Sequence, residues 1–479
     1  MKKIYLFIAA LIASNTFYGQ YFTEVTPSPF KDMFDGNSVF TDVDNDGDLD
    51  IFIVGLASTE DVVLYRNDGN GNYTEDTGNS FEGVRLADVA VADVNGNGYM
   101  DLLISGRNTS NNPITKLYLN DGTGQYTLDN SVSFDGVQYG TVDFADFNGD
   151  GAPDVLITGD NGNNINGIAK IYFNDGSGSF TEQTGTPLIG VDYSAVIILD
   201  VNGDNHLDII ISGDKGNPDY TTNLYINDGT GQFTLQNSGL LAINRGALAY
   251  ADVDGDGDLD VVVSGRTTGS TKESKLFLND GTGVFTEQTS LILTGVELAS
   301  AGFSDINGDT YPDLIVSGLV SNNNRSSEMF INDGNGNFTL YTQNSIEPIS
   351  QGSISFGDVD GDSDDDLLIT GISTGAGTMG PYDKKITRLY KLCNLELNQP
   401  SLSPISAICS LDEPQAPTAT DNCSGGNTTI IATTTTTFPI TDTTISEIIW
   451  SYDNGNGLFG SQTQAISWQD IDTSTTISQ

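Results

Sequence analysis

Short apolar runs alternate with polar, glycine-rich turns along most of the chain, and the alternation itself repeats. The string DVDNDGDLDIFIVG begins at Asp42, and related strings begin at Asp93, Asp146, Asp200, Asp252, Asp305 and Asp358. Successive starts are separated by 51, 53, 54, 52, 53 and 53 residues. Such a period indicates a protein built from one supersecondary unit used many times. We number the repeats, and the acidic loops that open these strings, one to seven.

Each repeat predicts four short strands. A strand rich in small residues, such as 247–251, precedes the acidic loop, and an almost continuously apolar strand, such as 209–211, follows it. An Asn-Asp-Gly string, first seen at 67–69, appears later in the first six repeats. It predicts a tight hairpin between the third and fourth strands, because these residues tolerate positive φ. Four antiparallel strands in a repeat of this length are typical of a β-propeller blade.

The seventh repeat is incomplete, and the missing piece stands near the start of the chain. Its third strand, 389–392, runs into Cys393 without an Asn-Asp-Gly turn or a fourth strand. The segment YFTE at 21–24 matches the fourth strands of other repeats, such as SFTE at 179–182. We therefore predict an all-β fold in which residues 21–395 form a seven-bladed β-propeller closed by the N-terminal strand.

The acidic loops place oxygen-bearing residues at positions 1, 3, 5 and 9. Calcium takes six to eight oxygen ligands, whereas magnesium prefers fewer protein ligands and keeps more water. Position 7 varies so widely that its backbone carbonyl is the predicted ligand. We predict up to seven mainly structural calcium ions. The predicted ligands are Asp42, Asp44, Asp46, Asp48 and Asp50; Asp93, Asn95, Asn97, Tyr99 and Asp101; Asp146, Asn148, Asp150, Ala152 and Asp154; Asp200, Asn202, Asp204, His206 and Asp208; Asp252, Asp254, Asp256, Asp258 and Asp260; Asp305, Asn307, Asp309, Tyr311 and Asp313; Asp358, Asp360, Asp362, Asp364 and Asp366.

The seven loops are not equivalent. Loop two has carboxylates only at Asp93 and Asp101, and we predict that it is the weakest site. Equal occupancy of all loops at limiting calcium would contradict this prediction. Loop six has Thr310 where a glycine would turn most easily, since a β-branched residue resists positive φ.

The two ends of the chain differ from the repeats. Residues 1–20 combine Lys2 and Lys3 with a ten-residue apolar run and predict a signal peptide, too short to span a bilayer. No later apolar stretch is long enough to do so, and we expect a secreted or cell-surface protein. Residues 396–479 are rich in threonine and predict a small, possibly incomplete β-sandwich domain.

The cysteines are confined to the C-terminal region. An oxidising compartment would allow one disulfide, most simply Cys409 with Cys423, leaving Cys393 over. The spacing does not decide this pairing.

Charge excludes some partners and suggests others. The chain has 65 acidic and 18 basic residues, a net charge of −47 that argues against nucleic acid and anionic lipid. Eleven basic residues fall between second and third strands, at the end of a propeller opposite its calcium loops. We hypothesise an anionic partner there, such as an acidic polysaccharide; alternatively, these residues merely keep the loops soluble. They are Arg107, Lys116, Lys170, Lys215, Arg266, Lys272, Lys275, Arg325, Lys384, Lys385 and Arg388.

Motifs for catalysis are scarce. His206 is the sole histidine and lies in a predicted metal loop, and the glycine-rich turns precede strands rather than helices. We therefore predict a binding protein that is not an enzyme. A calcium-dependent polysaccharide lyase, with a Lys, Arg or Tyr base, is the enzymatic alternative, and a passive surface scaffold is the third.

The acidic loops and their flanking strands resemble the FG-GAP/VCBS repeats, which include the head propellers of integrin α chains and many secreted bacterial proteins. The resemblance covers residues 21–395 and implies that ligands meet the face opposite the calcium loops. It therefore implies adhesion or recognition of a cell-surface glycan or protein. Segments 417–423, 434–440 and 449–457 resemble HYR-like immunoglobulin-type domains, which implies a Gram-negative bacterial surface protein.

Overall fold

The computed structural model describes residues 16–19, 22–163, 167–216, 219–321, 324–342, 346–374, 383–392, 395–397, 405–407, 416, 418–421, 428–431, 447–453 and 458–468. Every regular element in these residues is a β-strand, so none of them belongs to a helix able to cross a membrane. The chain divides into two compact units. One comprises residues 24–391, and the other comprises residues 392–479 together with 1–23.

The strands of the larger unit follow the repeats. Two strands precede the repeats: β1 (Thr16–Gly19), which belongs to the smaller unit, and β2 (Phe22–Glu24), whose last residue is the first of the larger unit. Repeats one to three contain β3 (Ser38–Thr41), β4 (Asp50–Leu56), β5 (Glu60–Asn67), β6 (Tyr73–Glu75), β7 (Val84–Ala92), β8 (Asp101–Asn108), β9 (Pro113–Asn120), β10 (Tyr126–Leu128), β11 (Gln138–Ala145), β12 (Asp154–Asp160), β13 (Ile168–Asn174) and β14 (Phe180–Glu182). Repeats four to seven contain β15 (Asp192–Leu199), β16 (Asp208–Asp214), β17 (Tyr220–Asn227), β18 (Phe233–Gln236), β19 (Ile243–Ala251), β20 (Asp260–Thr267), β21 (Lys272–Asn279), β22 (Phe285–Glu287), β23 (Glu297–Ser304), β24 (Asp313–Ser321), β25 (Asn324–Asn332), β26 (Phe338–Tyr341), β27 (Ile349–Ser350), β28 (Ile354–Gly357), β29 (Asp366–Thr374) and β30 (Asp383–Leu392).

Within each of the first six repeats the strands pair antiparallel in chain order, as in β11-β12-β13-β14. The seventh repeat has the order β2-β30-β29, with β27 and β28 both on β29. Beside this edge, the N–H of Val25 donates to the carbonyl of Leu389 at 2.8 Å, and Glu24 pairs with Arg388 at 3.1 Å. Residues 24 and 25 therefore lie beside β30 of the seventh repeat.

The core lies between successive sheets. The second strands are buried on both faces, as their continuous apolar runs predict; Ile209 and Ile211 of β16 are at most 1% exposed. These two side chains pack with Phe147 and Leu156 of the preceding repeat. Burying one such side chain stabilises the fold by about 1.5–3 kcal/mol. The repeats are therefore stabilised by their neighbours rather than individually.

A glycine lies near the end of each second strand, where a neighbouring segment of backbone approaches closely. Gly55 adopts φ +147, and a Cβ there would lie 2.7 Å from the carbonyl oxygen of Phe34. Only a residue without a side chain allows the chain before the first strand to approach this closely.

The smaller unit contains β31 (Leu395–Leu397), β32 (Ile405–Ala407), β33 (Thr418–Asp421), β34 (Thr428–Ile431), β35 (Glu447–Asp453) and β36 (Leu458–Trp468). Strand β36 pairs antiparallel with β1 and β35 and parallel with β32, while β33 pairs with β31 and β34. The three cysteines, most of the predicted signal peptide and much of the HYR-like segments lie outside the described residues. The immunoglobulin-type domain stays a prediction.

Candidate metal centres

Each acidic loop reverses direction through positive φ at positions 4 and 6. In loop one these residues are Asn45 at φ 56 and Gly47 at φ 96, and in loop six they are Gly308 at φ 74 and Thr310 at φ 75. Thr310 was expected to resist positive φ because it is β-branched, but it adopts the same conformation as the residues at position 6 of the other loops. The reversal brings the alternate side chains of the loop toward one another.

The position 1 carboxylate holds this turn. Asp42 accepts hydrogen bonds from the N–H groups of Asp46 at 3.2 Å and Gly47 at 2.9 Å. Asp252 accepts from Gly257 at 3.1 Å in the same way. These bonds preorganise the loop from its own sequence.

The position 9 aspartate of each loop is buried beneath it. Asp260 is 1% exposed, and its two oxygens accept the N–H groups of Val253 at 3.0 Å and Asn279 at 2.8 Å. Burial raises the pKa of Asp260 and of Asp313 to about 7, although these backbone donors oppose the shift. A cation beside such a carboxylate would favour its ionised form.

Three loops bring three carboxylates together. Among the described residues, ligand atoms lie within 4.8 Å of one another in Asp42, Asp44 and Asp46; in Asp252, Asp254 and Asp260; and in Asp358, Asp360 and Asp366. In these loops position 3 is aspartate, and the Oδ1 atoms of Asp44, Asp254 and Asp360 are buried without a hydrogen-bond partner among the described residues. A buried carboxylate oxygen is costly unless a donor or a cation satisfies it.

The other four loops have asparagine at position 3. Asn95 donates to Asp101 at 3.1 Å, Asn202 to Asp204 at 3.0 Å, and Asn307 to Asp309 at 2.9 Å. An amide can satisfy a neighbouring carboxylate by donating a hydrogen bond, which a second carboxylate cannot do. In loops two, four and six the position 3 amide therefore satisfies a neighbouring carboxylate, and these loops need a cation less than loops one, five and seven.

Position 7 directs its side chain away from the other ligands. A Cβ on Gly229 would lie 2.4 Å from the ring of His206, and one on Gly334 would lie 2.4 Å from the ring of Tyr311. These side chains therefore cover the Asn-Asp-Gly turns, which fits the carbonyl role predicted for position 7.

Two loops contain a basic side chain that sequence analysis missed. Arg66 lies 3.0 Å from Asp44 and 3.6 Å from Asp50, and Lys391 lies 2.7 Å from Asp360. Repeat five has Leu278 at the position corresponding to Arg66. Both cations follow a Leu-Tyr pair in the third strand, and the corresponding position is apolar in repeats two to six, a difference that could have identified them.

The Asn-Asp-Gly asparagines join neighbouring repeats. Each side-chain N–H donates to the position 2 carbonyl of the preceding repeat's acidic loop, at 2.7–2.9 Å. The pairs are Asn120 with Val43, Asn174 with Val94, Asn227 with Phe147, Asn279 with Val201, Asn332 with Val253, and Asn67 with Val359 of the seventh repeat. We call these bonds the asparagine latches.

The basic residues predicted at the opposite end are partly neutralised. Those with ion pairs are Lys170, Lys215, Lys272, Lys275 and Arg388. Arg266 bonds to Ser270, and Lys385 donates to the carbonyl of Ala57. The excess of basic residues in the sequence therefore does not translate into an equally positive surface.

A family model for the FG-GAP-like repeat matches residues 42–104, 146–211, 200–263, 252–316 and 305–369. Each matched segment spans two acidic loops, and together the segments include all those described above. The chain belongs to the FG-GAP-like repeat family. No curated protein sequence matches this FG-GAP chain.

Solved structures similar to this FG-GAP chain include β-propellers. An ancestral GH74 enzyme is 13% identical with a TM-score of 0.45; the match covers 94% of this chain and 55% of that enzyme. The Dos1 propeller is 10% identical with a TM-score of 0.43, covering 78% of this chain and 94% of the other. A variant of NanB sialidase from Streptococcus pneumoniae is 9% identical with a TM-score of 0.37, covering 78% and 69%.

The prediction that the chain is not an enzyme is wrong. The structures similar to it include glycoside hydrolases and a sialidase. At this similarity the neighbours assign no activity to this FG-GAP chain.

Proposed function

We propose that this protein is a secreted, calcium-stabilised, closed seven-bladed β-propeller that recognises a cell-surface glycan or protein at the end opposite its acidic loops. The observation that carries the proposal is the set of buried, unpartnered Oδ1 atoms of Asp44, Asp254 and Asp360. They recur at one loop position, beside further carboxylates.

Calcium suits these centres because it accepts many oxygen ligands in flexible geometry, at about 2.3–2.6 Å. In loop five the ligands would be Asp252, Asp254, Asp256 and Asp260, with the carbonyl of Asp258. The ion would satisfy Asp254 and lower the repulsion among the carboxylates.

Ring closure is supported by bonds between the first and last repeats. Asn67 donates to the Val359 carbonyl at 2.7 Å, and the Asp35 N–H donates to the Gln351 carbonyl at 2.9 Å. Ser38 and Ser355 also share a side-chain hydrogen bond of 3.0 Å. A closed ring would leave no open sheet face between these repeats.

Calorimetric titration of the full chain, with binding to arrayed glycans and extracellular proteins in calcium and in chelator, tests the function. We expect calcium binding with a rise in melting temperature, and a ligand retained only with calcium. A folded protein that takes up no calcium would contradict the metal centres. One that binds calcium but no arrayed ligand would contradict the recognition role.

Arg66 provides a sharper prediction about loop one. Replacing it with leucine, the residue at this position in repeat five, is expected to raise calcium affinity at loop one about tenfold, because a cation beside Asp44 and Asp50 repels the ion. Calorimetry in an Asp254→Asn/Asp360→Asn background, which weakens loops five and seven, measures the affinity of the tightest remaining site, expected to be loop one.

The control is Lys170→Leu, which removes a cation paired with Asp135 and Glu182, away from the acidic loops. This control should leave calcium affinity unchanged. Equal affinities for Arg66→Leu and the background protein would show that Arg66 does not compete with the metal.

A further inference from the structure

One residue of each repeat, near the start of its first strand, adopts positive φ without being glycine. These residues are Asp35, Leu86, Tyr139, Tyr193, Arg245, Leu298 and Gln351, with φ between 49 and 56. In repeats two to six each lies where the pairing of first and second strands shifts register. Such a bulge re-aims a side chain, and bulges are over-represented beside functional sites.

The choice of residue at this position is informative. A left-handed conformation is unfavourable for a non-glycine residue, because its Cβ comes too close to the following carbonyl oxygen. Position 4 of the acidic loops also has positive φ, and there six of seven repeats use glycine, the exception being Asn45. At the bulge position none of the seven repeats has glycine. The chain therefore accepts strain seven times to keep a side chain there, a pattern typical of binding sites.

All seven side chains line one cavity of about 300 Å³, at the small end of the usual range for ligand pockets. First strands run from this cavity to the acidic loops. Seven residues separate Arg245 from Asp252, which corresponds to roughly 20 Å of strand. The cavity thus lies at the end opposite the candidate metal centres.

Aromatic and planar polar groups form its wall. The rings of Tyr139 and Tyr193 lie 4.3 Å apart at 37°, and the Arg245 guanidinium lies 4.3 Å from the Tyr193 ring centre. Among the described residues Arg245 has no ion pair or hydrogen bond. In the part of the wall formed by the first and seventh repeats, the Gln351 amide donates to Asp35 at 3.2 Å.

The chemistry of this wall fits a sugar. Tyrosine rings supply apolar surface for the C–H face of a pyranose, while Arg245 can donate to a sugar hydroxyl group and Asp35 can accept from one. Asp35 and Arg245 cancel in charge, and Arg85 beside them is paired with Glu60 at 3.2 Å. A net charge of −47 would also repel an anion. A neutral ligand is therefore favoured over an acidic one.

On the basis of the closed ring proposed above, we propose that this cavity binds one neutral sugar unit of a glycan, held by the Tyr139–Tyr193–Arg245 stack and by Asp35 and Gln351. The seven differing side chains would determine which sugar is bound, while the common bulge keeps them directed at the cavity.

Saturation-transfer NMR on the full chain in calcium tests the site. The probes are methyl glycosides of glucose, galactose and mannose at millimolar concentration, with glucuronic acid as the charged counterpart and adenosine as a non-sugar ring. We expect at least one neutral glycoside to bind, and glucuronic acid and adenosine to bind more weakly.

Tyr193→Ala is expected to weaken that binding about tenfold or more, whereas Tyr193→Phe, which keeps the ring, should stay within about threefold. Leu235→Ala, which shortens an exposed side chain of β18 in the same repeat, should have no effect. Hydrogen exchange on the wild type should show sugar-dependent protection around residues 137–142, 191–196 and 243–248, whether or not Tyr193→Ala folds.

Absence of binding by every neutral glycoside, or protection elsewhere only, would overturn this site. Calcium-dependent capture of an arrayed ligand by the same protein would then leave the proposed function standing. Failure of both calcium binding and ligand capture would instead reject the function itself.

Discussion

Replacing Asn67 with alanine is expected to lower the free energy of unfolding by about 3 kcal/mol. The substitution removes the amide donor to Val359 and leaves the N–H groups of Gly69 and Gly71 without their acceptor. In a closed ring this latch joins the first repeat to the last, so its loss weakens the junction that closes the ring. Urea unfolding in saturating calcium measures the effect.

Asn227→Ala is the matched variant, because Asn227 makes the corresponding bonds between repeats three and four. The exposed Asn130 provides a neutral control, where alanine should change stability by no more than about 0.5 kcal/mol. A large loss at Asn227 with none at Asn67 would mean that the first and last repeats do not depend on each other, and the ring would then be open.

Removal of calcium is expected to have the other large effect. A site held at a hundred times its dissociation constant stabilises the folded state by about 2.7 kcal/mol, and several such sites act together. We therefore expect excess chelator to lower the melting temperature markedly, with recovery on adding calcium but not magnesium at equal concentration. Differential scanning calorimetry across a calcium series provides the measurement.

The triple variant Asp44→Asn/Asp254→Asn/Asp360→Asn separates metal binding from general screening of charge. It gives loops one, five and seven the amide that the other loops have at position 3, and it should melt with a much smaller response to calcium. A response equal to that of the wild type would place the stabilising ions elsewhere.

Local structure could be predicted well from the repeats. The apolar run of β16, the Asn-Asp-Gly turns and the aspartate spacing of the loops depend on residues close together in the chain. The shortened seventh repeat also identified β2 as a candidate outer strand. These features follow from strand alternation, turn chemistry and periodicity, which local sequence encodes directly.

Contacts between residues far apart in the chain could not be predicted in this way. Arg66 and Leu278 occupy the same place in their strings, yet only the folded structure shows that the arginine reaches Asp44. The asparagine latches join residues about eighty positions apart, such as Asn174 and Val94. The basic residues predicted as a ligand-binding face proved to include many that pair with nearby acids.

By itself, the sequence determined the all-β character, the repeat period, the acidic loops and the turns, because each depends on side chains within a few residues of one another. Only the tertiary structure decided which loops gather three carboxylates, which of them contain a basic neighbour, and that seven bulge residues meet at one cavity. The first two properties depend on how loop and strands fold within one repeat, and the cavity depends on how successive sheets pack. Packing brings together residues from different repeats, and no local pattern specifies which ones will meet.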